Sequence, residues 1–399
     1  MPNTAPPVQA QNTASPVQAA NTVPAAQAPL AETAQESTSF VATPAKSARV
    51  GTTFIRNIWH FAIPGELVKR GKTTSKVMLG EPVLIGRDAA GKAFALRDIC
   101  PHQGIPLSEG SFDGTEIQCA FHGWRFNTDG VCTDIPSLVR DQCMNVCAVK
   151  TKSYPCAEVQ GNIWVYFGDK TDDLPDVPRA QRLDNGYFAK TFTSFVIPSH
   201  FDYNALALLE PSHVPYVHKQ WWWSRSGKSI KEKSKTFVPC ETGWTMVAHK
   251  RPKQSFLLNV FGSDIETEIG FRLPAYRLEH ILVGGKAVLS GITILTPVDE
   301  KSTEFIHITY WTAPLARFIA PLVRPFIDYF VGTFVGQDKA MGFKQAKGLR
   351  FNPNLILNIK DSGTAGKWYF QCKEEWAEAR EQGRAFVNPI KESILRWRT

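Results

Sequence analysis

Apolar and polar residues alternate in short runs over residues 53–168, the pattern of β-strands that bury one face. The stretch "SKVMLGEPVLIGRDAAGKAFALRDIC" (75–100) breaks its apolar runs at two turn signals, Gly-Arg-Asp and Ala-Gly-Lys. "NIWVYFGD" (162–169) closes the region with residues that favour strands. We predict a small antiparallel all-β domain over 53–168.

Residues 181–399 mix strand and helix patterns, and the Pro- and Asp-rich stretch "TDDLPDVPRA" (171–180) before them is typical of a linker. Strand patterns occur in "FLLNVF" (256–261), "KAVLSGITILTPV" (286–298) and "EFIHITYWTA" (304–313). Helical patterns occur near 203–218 and near 313–348. Strand runs between separated helices favour an antiparallel sheet with helices, so the predicted fold class is α+β.

The stretch "APLARFIAPLVRPFIDYFVGTF" (313–334) is the one candidate for a membrane span. Three charged residues interrupt it: Arg317, Arg324 and Asp328. Burying each of them in a bilayer would cost roughly 2.5–3.5 kcal/mol. Large apolar residues recur every four positions, at Phe318, Leu322, Phe326 and Phe330. We predict an amphipathic helix packed on the core and no transmembrane segment, with a helix lying flat on a membrane as the less favoured alternative.

Residues 1–48 consist mainly of Ala, Pro, Gln, Thr, Asn and Ser, and "APPVQAQNT" (5–13) recurs as "ASPVQAANT" (14–22). With a single aromatic residue, Phe40, the segment cannot bury enough apolar surface to offset the entropy of ordering. No basic residue precedes Lys46, whereas a targeting peptide needs them. We predict a disordered tail without a targeting signal.

The composition is that of a soluble globular protein: 399 residues, 43% hydrophobic and 21% charged, with a formal net charge of +8. The basic run "KSIKEKSK" (228–235) has no accompanying nucleic-acid signature, so we interpret it as a solvated loop and predict no nucleic-acid partner. Eight cysteines are too few for a disulfide scaffold in this chain. We infer a reducing compartment, the cytoplasm, where thiolates are free to bind metals.

Two short loops each carry one cysteine followed by one histidine. The first, "CPHQGIPLSEG" (100–110), contains Cys100-x-His102, and the second, "CAFHGWRF" (119–126), contains Cys119-x-x-His122. A structural zinc site is the alternative, but zinc fingers usually place both cysteines on one loop and both histidines on the other. One of each from both loops suits a [2Fe–2S] cluster in which two thiolates bind one iron and two imidazoles the other.

The remaining cysteines and several histidines lack such a context. The cysteines are Cys132, Cys143, Cys147, Cys156, Cys240 and Cys372. The spacing Cys143-x-x-x-Cys147 could bind a metal or form a redox pair, but we interpret all six as buried or spectator thiols. The histidines interpreted as structural are His60, His200, His249, His280 and His307.

A second group of ligands lies in "NALALLEPSHVPYVHK" (204–219), which contains Glu210, His213 and His218. Glu210 and His213 are three residues apart and would share one face of a helix. His218 follows His213 by about 500° of helical rotation, so we predict that Pro215 breaks the helix and lets both rings converge. Two imidazoles and one carboxylate on one side of Fe(II) leave positions open for O₂ and substrate.

The paired loops "CPHQGIPLSEG" and "CAFHGWRFNTDG" resemble the cluster loops of Rieske proteins of the ring-hydroxylating oxygenase type, including the Gly-Trp after the second histidine. The resemblance extends over most of residues 53–399. It implies that a [2Fe–2S] cluster is bound by Cys100, His102, Cys119 and His122. For the remainder it implies a catalytic α+β domain over 181–399, with an antiparallel sheet of the helix-grip, START-like type.

In that family, an acid-x-x-His-x-x-x-x-His motif, matched here by Glu210, His213 and His218, supplies the two histidine ligands of a mononuclear Fe(II), and a distant aspartate near the end of the chain completes the site. "GQDKAMGFKQ" (336–345) resembles the segment with the third ligand, so Asp338 is the candidate. Asp328 competes for this role, but it follows Arg324 by four residues and is better explained as its ion-pair partner.

The family usually has aspartate at the bridging position and often asparagine three residues earlier, whereas this chain has Glu210 and Ala207. By resemblance, Glu210 is the electron bridge between a cluster histidine and an iron histidine, in the family by way of the neighbouring subunit of a homotrimer. The longer glutamate can still make that link, and the missing asparagine leaves the three iron ligands in place.

The resemblance implies a terminal oxygenase component that uses O₂ to hydroxylate or O- or N-demethylate an aromatic or cyclic substrate. A reductase or ferredoxin would deliver electrons, and NAD(P)H would act only through it, because no Gly-x-Gly-x-x-Gly follows a strand here. Two alternatives stay open: cis-dihydroxylation of an aromatic ring, and a Rieske electron carrier or binding protein without oxygen chemistry. The tryptophans 221–223 could line a substrate entrance or a subunit contact, or be buried against the sheet. Phe256, Leu258 and Phe261 could line a pocket or equally face the core.

Overall fold

The computed structural model describes residues 53–399 with gaps. The gaps are residues 170, 172, 184–185, 188, 219–229, 251–263, 313–315, 354–356 and 358, and only the backbone is described for residues 316–321, 323 and 327. Several predictions therefore lie outside the described residues: the tail over 1–48, the strand "FLLNVF", and the pocket candidates at 221–223 and 256–261.

Residues 53–169 consist of short antiparallel strands that form three small sheets. The strands are β1 (Ile58–Pro64), β2 (Lys72–Met78), β3 (Glu81–Arg87), β4 (Ala93–Arg97), β5 (Ser111–Phe112), β6 (Glu116–Gln118), β7 (Arg125–Asn127), β8 (Cys132–Asp134), β9 (Ser153–Tyr154), β10 (Cys156–Val159) and β11 (Asn162–Phe167). The sheet orders are β1-β11-β10, β2-β3-β4-β9 and β5-β6-β7-β8. Short 3-10 turns cover Gly65–Leu67, Leu107–Glu109 and Val146–Ala148.

Packing brings the two Cys–His loops together. The first loop connects β4 to β5, and the second connects β6 to β7. Cys100 and Cys119 are both buried in one apolar cluster that also contains Leu84, Leu96 and Phe126. Because both cysteines are held in the same core, the two loops begin next to each other.

The described chain after residue 180 forms one large antiparallel sheet and the helices that cover it. The strands are β12 (Ala189–Ile197), β13 (Glu232–Cys240), β14 (Gly243–Lys250), β15 (Ile265–Arg272), β16 (Tyr276–Val283), β17 (Lys286–Asp299), β18 (Ser302–Trp311) and β19 (Ser393–Arg398), in the order β12-β18-β17-β16-β15-β14-β13-β19. The helices are α1 (Phe201–Leu209), α2 (Val214–Val217), α3 (Ala316–Leu349) and α4 (Thr364–Glu381), with 3-10 turns at Gln181–Leu183 and Pro211–His213.

The two faces of this sheet bury different partners, because alternate residues of a strand point to opposite sides. On the outer face, Ile292 and Ile308 share an apolar cluster with Trp59 and Trp164 of the β1-β11-β10 sheet. The inner face shares a second cluster with α1 and α4, for example through Phe271. The sheet is therefore the middle layer, and the α+β class predicted from the sequence is confirmed.

A buried charge network attaches α1 to α4. Asp202 in the first turn of α1 is fully buried and accepts hydrogen bonds from Nζ of Lys373, at 2.8 and 2.9 Å, and from the Tyr369 hydroxyl at 2.6 Å. Lys373 also donates to the carbonyl of Thr53 at 2.8 Å. Because a buried carboxylate is tolerated only when it is paired, these contacts fix where α1 begins, and α1 leads into the histidine segment.

The long helix α3 differs from its prediction. Its apolar repeat predicted packing on the core, but Leu322 is 75% exposed and Phe326 is 65% exposed, so the prediction is wrong for these two side chains. Among the side chains of α3 that the structure describes, the buried ones lie in its second half, for example Val335 and Ala346. An apolar repeat shows which face of a helix is apolar, but it does not show how much of that face packs against the rest of the protein. Within the described residues, no helix combines the length and apolarity needed to cross a bilayer.

Candidate metal centres

The two Cys–His loops have the same backbone construction. In each loop the cysteine N–H donates to the carbonyl of the residue five positions later, at 2.8 Å for Cys100 and 2.9 Å for Cys119. The glycine four positions after each cysteine donates back to the cysteine carbonyl, at 2.9 Å for Gly104 and 3.2 Å for Gly123. Each loop is therefore closed by its own hydrogen bonds, and the cysteine occupies the same place in both loops.

Glycine is needed at three points of these loops. Gly104 and Gly123 have φ values of +81° and +70°, in the left-handed region that other residues rarely adopt. At Gly110 a Cβ would lie 1.9 Å from the carbonyl oxygen of Gln118, so no side chain fits there. That close approach holds the end of the first loop against the start of the second.

The four candidate cluster ligands converge as two pairs. The thiols of Cys100 and Cys119 are buried in one core cluster, near enough for Cys119 to raise the pKa of Cys100, and the exposed rings of His102 and His122 have centroids 4.6 Å apart. Trp124 stacks on His102 with 4.4 Å between centroids. Burial, followed by the neighbouring Cys119, raises the pKa of Cys100 to about 11. A thiol held protonated by its surroundings in this way becomes a thiolate when iron replaces its proton.

This pairing fits a [2Fe–2S] cluster. The sulfur ligands lie on the core side and the nitrogen ligands on the solvent side, as expected if each pair binds a different iron.

The histidine segment that follows α1 is broken earlier than predicted. α1 ends at Leu209, and Pro211 starts a separate turn because its ring lacks an N–H and cannot continue the helix. Pro215, predicted to make the break, instead lies in the first turn of α2, where a missing N–H costs nothing. The prediction that Glu210 and His213 share a helix face is therefore wrong.

The break brings both histidines to Asp338 of α3. The ring centroids of His213 and His218 are 5.5 Å apart, and Oδ1 of Asp338 lies 3.9 Å and 3.3 Å from their respective Nε2 atoms. Among the described residues, these three form the one group of candidate ligand atoms that all lie within 4.8 Å of one another. Asp328 instead pairs with Arg324, with Oδ2 and Nε 3.4 Å apart.

Hydrogen bonds at Nδ1 set the orientation of both rings. Nδ1 of His213 lies 2.5 Å from the carbonyl oxygen of Glu210, and Nδ1 of His218 lies 3.0 Å from Oε1 of Gln337. Both partners are acceptors, so each Nδ1 carries the proton and each Nε2 keeps a lone pair. Nε2 of His218 is buried without a hydrogen-bond partner, because the nearby Asp338 oxygen is not in hydrogen-bonding geometry. Lone pairs left free beside a carboxylate fit a divalent metal ion.

Two neighbours of this group were not predicted from the sequence. Gln337 orients His218, and Phe334 stacks on the same ring with 3.6 Å between centroids. The sequence contains a weak signal for both, since Gln337 precedes Asp338 and Phe334 lies one helical turn before it. Burial holds the pKa of His213 below its usual range against the opposing charge of Asp338, so His213 is neutral at pH 7, as a metal ligand must be.

The carboxylate of Glu210 is not part of the iron group. Glu210 is exposed, and its Oε1 accepts a hydrogen bond from the Ser212 hydroxyl at 2.6 Å. The cluster histidines, His102 and His122, are exposed as well. The proposed bridging acid and the imidazoles that it would contact are thus both accessible on the surface of the described chain.

A cavity of about 1650 Å³ lies beside the iron group and extends along the inner face of the large sheet. Arg277 and Glu279 of β16 line it and form an ion pair at 3.1 Å. The charge of Arg277 acts to lower the pKa of His213, which places the two groups near each other.

His307, interpreted from the sequence as structural, forms a 2.9 Å hydrogen bond through Nδ1 with the Thr293 hydroxyl, and burial lowers its pKa to about 4.

The six remaining cysteines are free thiols. Cys132 and Cys372 are buried, Cys156 and Cys240 are partly buried, and Cys143 and Cys147 are exposed. Neither of the exposed pair joins a group of metal-ligand atoms within the described residues.

The comparisons with known proteins agree with this architecture. Residues 58–155 match the family model of the Rieske [2Fe-2S] domain. The chain is 34% identical over 186 residues to the iron-sulfur subunit TsaM1 of the toluene-4-sulfonate monooxygenase system of Comamonas testosteroni, over 45% of this chain and 50% of that protein. It is 30% identical over 301 residues to chloroplastic protein TIC 55 of Pisum sativum, over 73% of this chain and 50% of that protein. The crystal structure of dicamba monooxygenase bound to dicamba matches with a TM-score of 0.68 at 20% identity, over 83% of this chain and 100% of that chain.

The chain thus spans about half the length of these two curated relatives. At 20% identity, the match to dicamba monooxygenase establishes a shared fold. The Rieske model covers the β region with the two Cys–His loops, and the structural match continues through the large sheet and its helices. The chain therefore fits the ring-hydroxylating oxygenase family of Rieske proteins.

Proposed function

We propose that the chain is a terminal oxygenase component with a [2Fe–2S] cluster in the paired loops and a mononuclear Fe(II) on His213, His218 and Asp338. The observation that carries this proposal is the convergence of two Nε2 lone pairs and one carboxylate at the wall of a cavity. Such a set leaves coordination positions open, unlike a closed structural metal site. We assign residues 53–168 to the cluster domain and 181–399 to the catalytic domain.

In this proposal the cluster ligands are Cys100, His102, Cys119 and His122. Burial of the two thiols separates the sulfur side from water, while the exposed imidazoles lie where an electron can enter or leave. Two neutral imidazoles in place of thiolates raise the reduction potential of such a cluster, which suits an electron relay.

Bound Fe(II) would supply the activation of O₂, which no protein side chain can perform. The surrounding residues have positioning tasks. The Glu210 carbonyl and Gln337 hold the imidazoles with Nε2 free, and Phe334 shields His218 from water. The adjoining cavity wall holds the substrate beside the open positions.

Electrons would come from a reductase or ferredoxin, so that NAD(P)H acts only indirectly. Glu210 is proposed as the bridge between a cluster histidine of one subunit and the iron histidines of another in a homotrimer. The exposure of Glu210, His102 and His122 supports a route that crosses a subunit interface. The free cysteines support a reducing, cytoplasmic location.

The proposed substrate is aromatic or cyclic, and the proposed reaction is hydroxylation or O- or N-demethylation. The names of two matched proteins support aromatic substrates, toluene-4-sulfonate in one case and dicamba in the other. Phe237, Met246 and Ile269 on the cavity wall offer apolar surface to a ring.

The test is reconstitution of the holoprotein with a reductase and ferredoxin, followed by turnover under O₂ with aromatic ethers, amines, acids and sterol-like compounds. Products read by mass should contain one added oxygen or lack one methyl group. Iron analysis should give about three atoms per chain, two in the cluster and one in the catalytic site. A protein with only the two cluster irons that oxidises no compound is an electron carrier, and the proposal is then wrong. A product with two added hydroxyls would assign ring dihydroxylation instead.

A further inference from the structure

The cavity wall changes from apolar to polar along the inner face of the sheet. Phe237, Met246 and Ile269 are paired in register across β13, β14 and β15, so their side chains form one apolar row. Two residues further along the strands, the same face presents Lys235 on β13 and Thr267 on β15, with His249 of β14 opposite Thr267 and between the two, and all three residues line the cavity. Since two strand spacings separate Lys235 from Thr267, their backbones are about 10 Å apart.

Within the described part of the chain, each of these two side chains has a donor without a partner. Nζ of Lys235 makes no hydrogen bond or ion pair with any described residue, and burial lowers the pKa of this partly buried ammonium. The hydroxyl of Thr267 is buried, at 3% residue exposure, and has no hydrogen-bond partner among the described residues. Buried donors are normally satisfied, so the unpaired Thr267 hydroxyl indicates an acceptor that binds there, and the partly buried Lys235 ammonium on the same wall adds a positive charge.

The charges near this row favour an anion. Lys231, Lys233 and Lys235 alternate along the strand and all line the cavity. Among the carboxylates on the cavity wall, Glu279 lies opposite Ile269 on the neighbouring strand, and its ion pair with Arg277 neutralises it. Glu210 and Asp338 lie in the iron region, and Asp361 lies in the turn before α4. With Glu279 neutralised, the lysines give this end of the cavity a positive charge, which concentrates ligands of the opposite sign.

We propose that this end of the cavity is an anion subsite, in which Lys235 and Thr267 bind the carboxylate or sulfonate of an otherwise apolar substrate. The inference rests on the proposed oxygenase function and names its substrate class as an organic acid. The ammonium and the hydroxyl donate to the anion, and the apolar row of Phe237, Met246 and Ile269 contacts the hydrocarbon body. The cavity of about 1650 Å³ exceeds the range of roughly 300–1,000 Å³ that is usual for small-molecule sites, so acids larger than one ring fit.

The test measures binding and does not require turnover. Three acids of increasing size, benzoate, naphthalene-2-carboxylate and cholate, are titrated into the holoprotein by calorimetry, each beside its neutral primary amide. At least one acid should bind about tenfold or more tightly than its amide, because hydrogen bonds to a charged group are the stronger kind. Lys235→Met should abolish that preference, and Thr267→Val should reduce it about two- to fivefold.

Two further variants make the test specific. Lys286→Met removes an exposed lysine from the same sheet outside the cavity and should leave the acid-to-amide ratio unchanged. Lys235→Glu should favour the amide over the acid, because a carboxylate repels the anion.

The inference is overturned if no acid binds more tightly than its amide, or if Lys235→Met and Lys286→Met have the same effect. These results are independent of the proposed oxygenase function. A protein that prefers acids but oxidises nothing keeps the subsite and loses the proposed function. A protein that oxidises only neutral compounds keeps the function and loses the subsite.

Discussion

The cluster loops take all four of their candidate ligands from residues 100–122, whereas the iron group combines residues 213 and 218 with residue 338. In the loops, each cysteine is hydrogen-bonded to residues four and five positions away, so the ligand geometry is built locally. In the iron group, His218 is oriented by Gln337 of another helix and stacked on by Phe334. The cluster site is therefore encoded in a short motif, whereas the iron site depends on the packing of segments that are far apart in the sequence.

The same contrast extends to what surrounds each centre. The cluster cysteines belong to a compact core beside glycine turns that allow little variation. The iron group instead borders a large cavity, and its neighbours Arg277 and Glu279 come from the sheet. Substitutions should therefore separate the two centres, with loss of one leaving the other intact.

The largest expected effect is that of Cys100→Ala. Removing one of the two buried thiols should abolish the cluster, and with it the visible absorption and all turnover, because no electrons reach the iron. Visible spectroscopy and iron analysis measure this. Cys143→Ala, an exposed cysteine of the same β region, is the control and should keep its colour. A coloured Cys100→Ala protein would place the cluster elsewhere.

Asp338→Ala should be equally inactive but should keep the visible spectrum of the cluster. Removing the carboxylate leaves two histidines and lowers the iron content by about one atom per chain. The matched control is Asp328→Ala in the same helix, which loses only an exposed ion pair with Arg324 and should remain active. Bleaching of Asp338→Ala would mean that the two centres are not separable.

Gln337→Leu tests whether packing between helices tunes the iron group. Loss of the acceptor at Nδ1 should weaken Fe(II) binding or turnover about 10- to 100-fold, while the cluster spectrum stays unchanged. Gln337→Glu keeps an acceptor oxygen and should recover most of the loss. The Fe(II) dissociation constant of the apo site and kcat are measured in parallel. If Gln337→Leu and Gln337→Glu are equally impaired, the hydrogen bond to His218 is not the cause.

The smallest expected effect concerns the turn between β5 and β6, next to the second cluster loop. Backbone N–H groups of Glu116 and Thr115 bind the Asp113 carboxylate and lower its pKa to about 2. Because the folded-state pKa lies below the unfolded value of 3.8, the stabilisation is present above pH 3.8 and is lost as the pH falls toward 2. Asp113→Asn should lower the unfolding temperature slightly at pH 6.5, with the difference from wild type shrinking near pH 3. A difference that is constant with pH would exclude the carboxylate charge as its source.

Much of the candidate site could be predicted from the sequence, because the information is local. Residue types and spacings such as Cys100-x-His102 define a ligand loop, and glycines such as Gly104 show where the backbone must turn. The alternation of apolar and polar residues, together with the helical repeats, was sufficient to predict the α+β class. A break in the histidine segment was predicted at Pro215, between His213 and His218, whereas the helix ends earlier, before Pro211, since a sequence shows that a helix ends without showing which proline ends it.

The sequence by itself determined which residues are candidate metal ligands and which stretches favour strands, since residue type, spacing and alternation depend on neighbours within a few positions. Only the tertiary structure decided that Gln337 contacts His218, that Lys235 and Thr267 line one wall, and that Leu322 faces solvent. Those outcomes depend on contacts between segments far apart in the chain. Their geometry follows from how a sheet and several helices fill space together, and a periodic pattern along one segment carries no information about that arrangement.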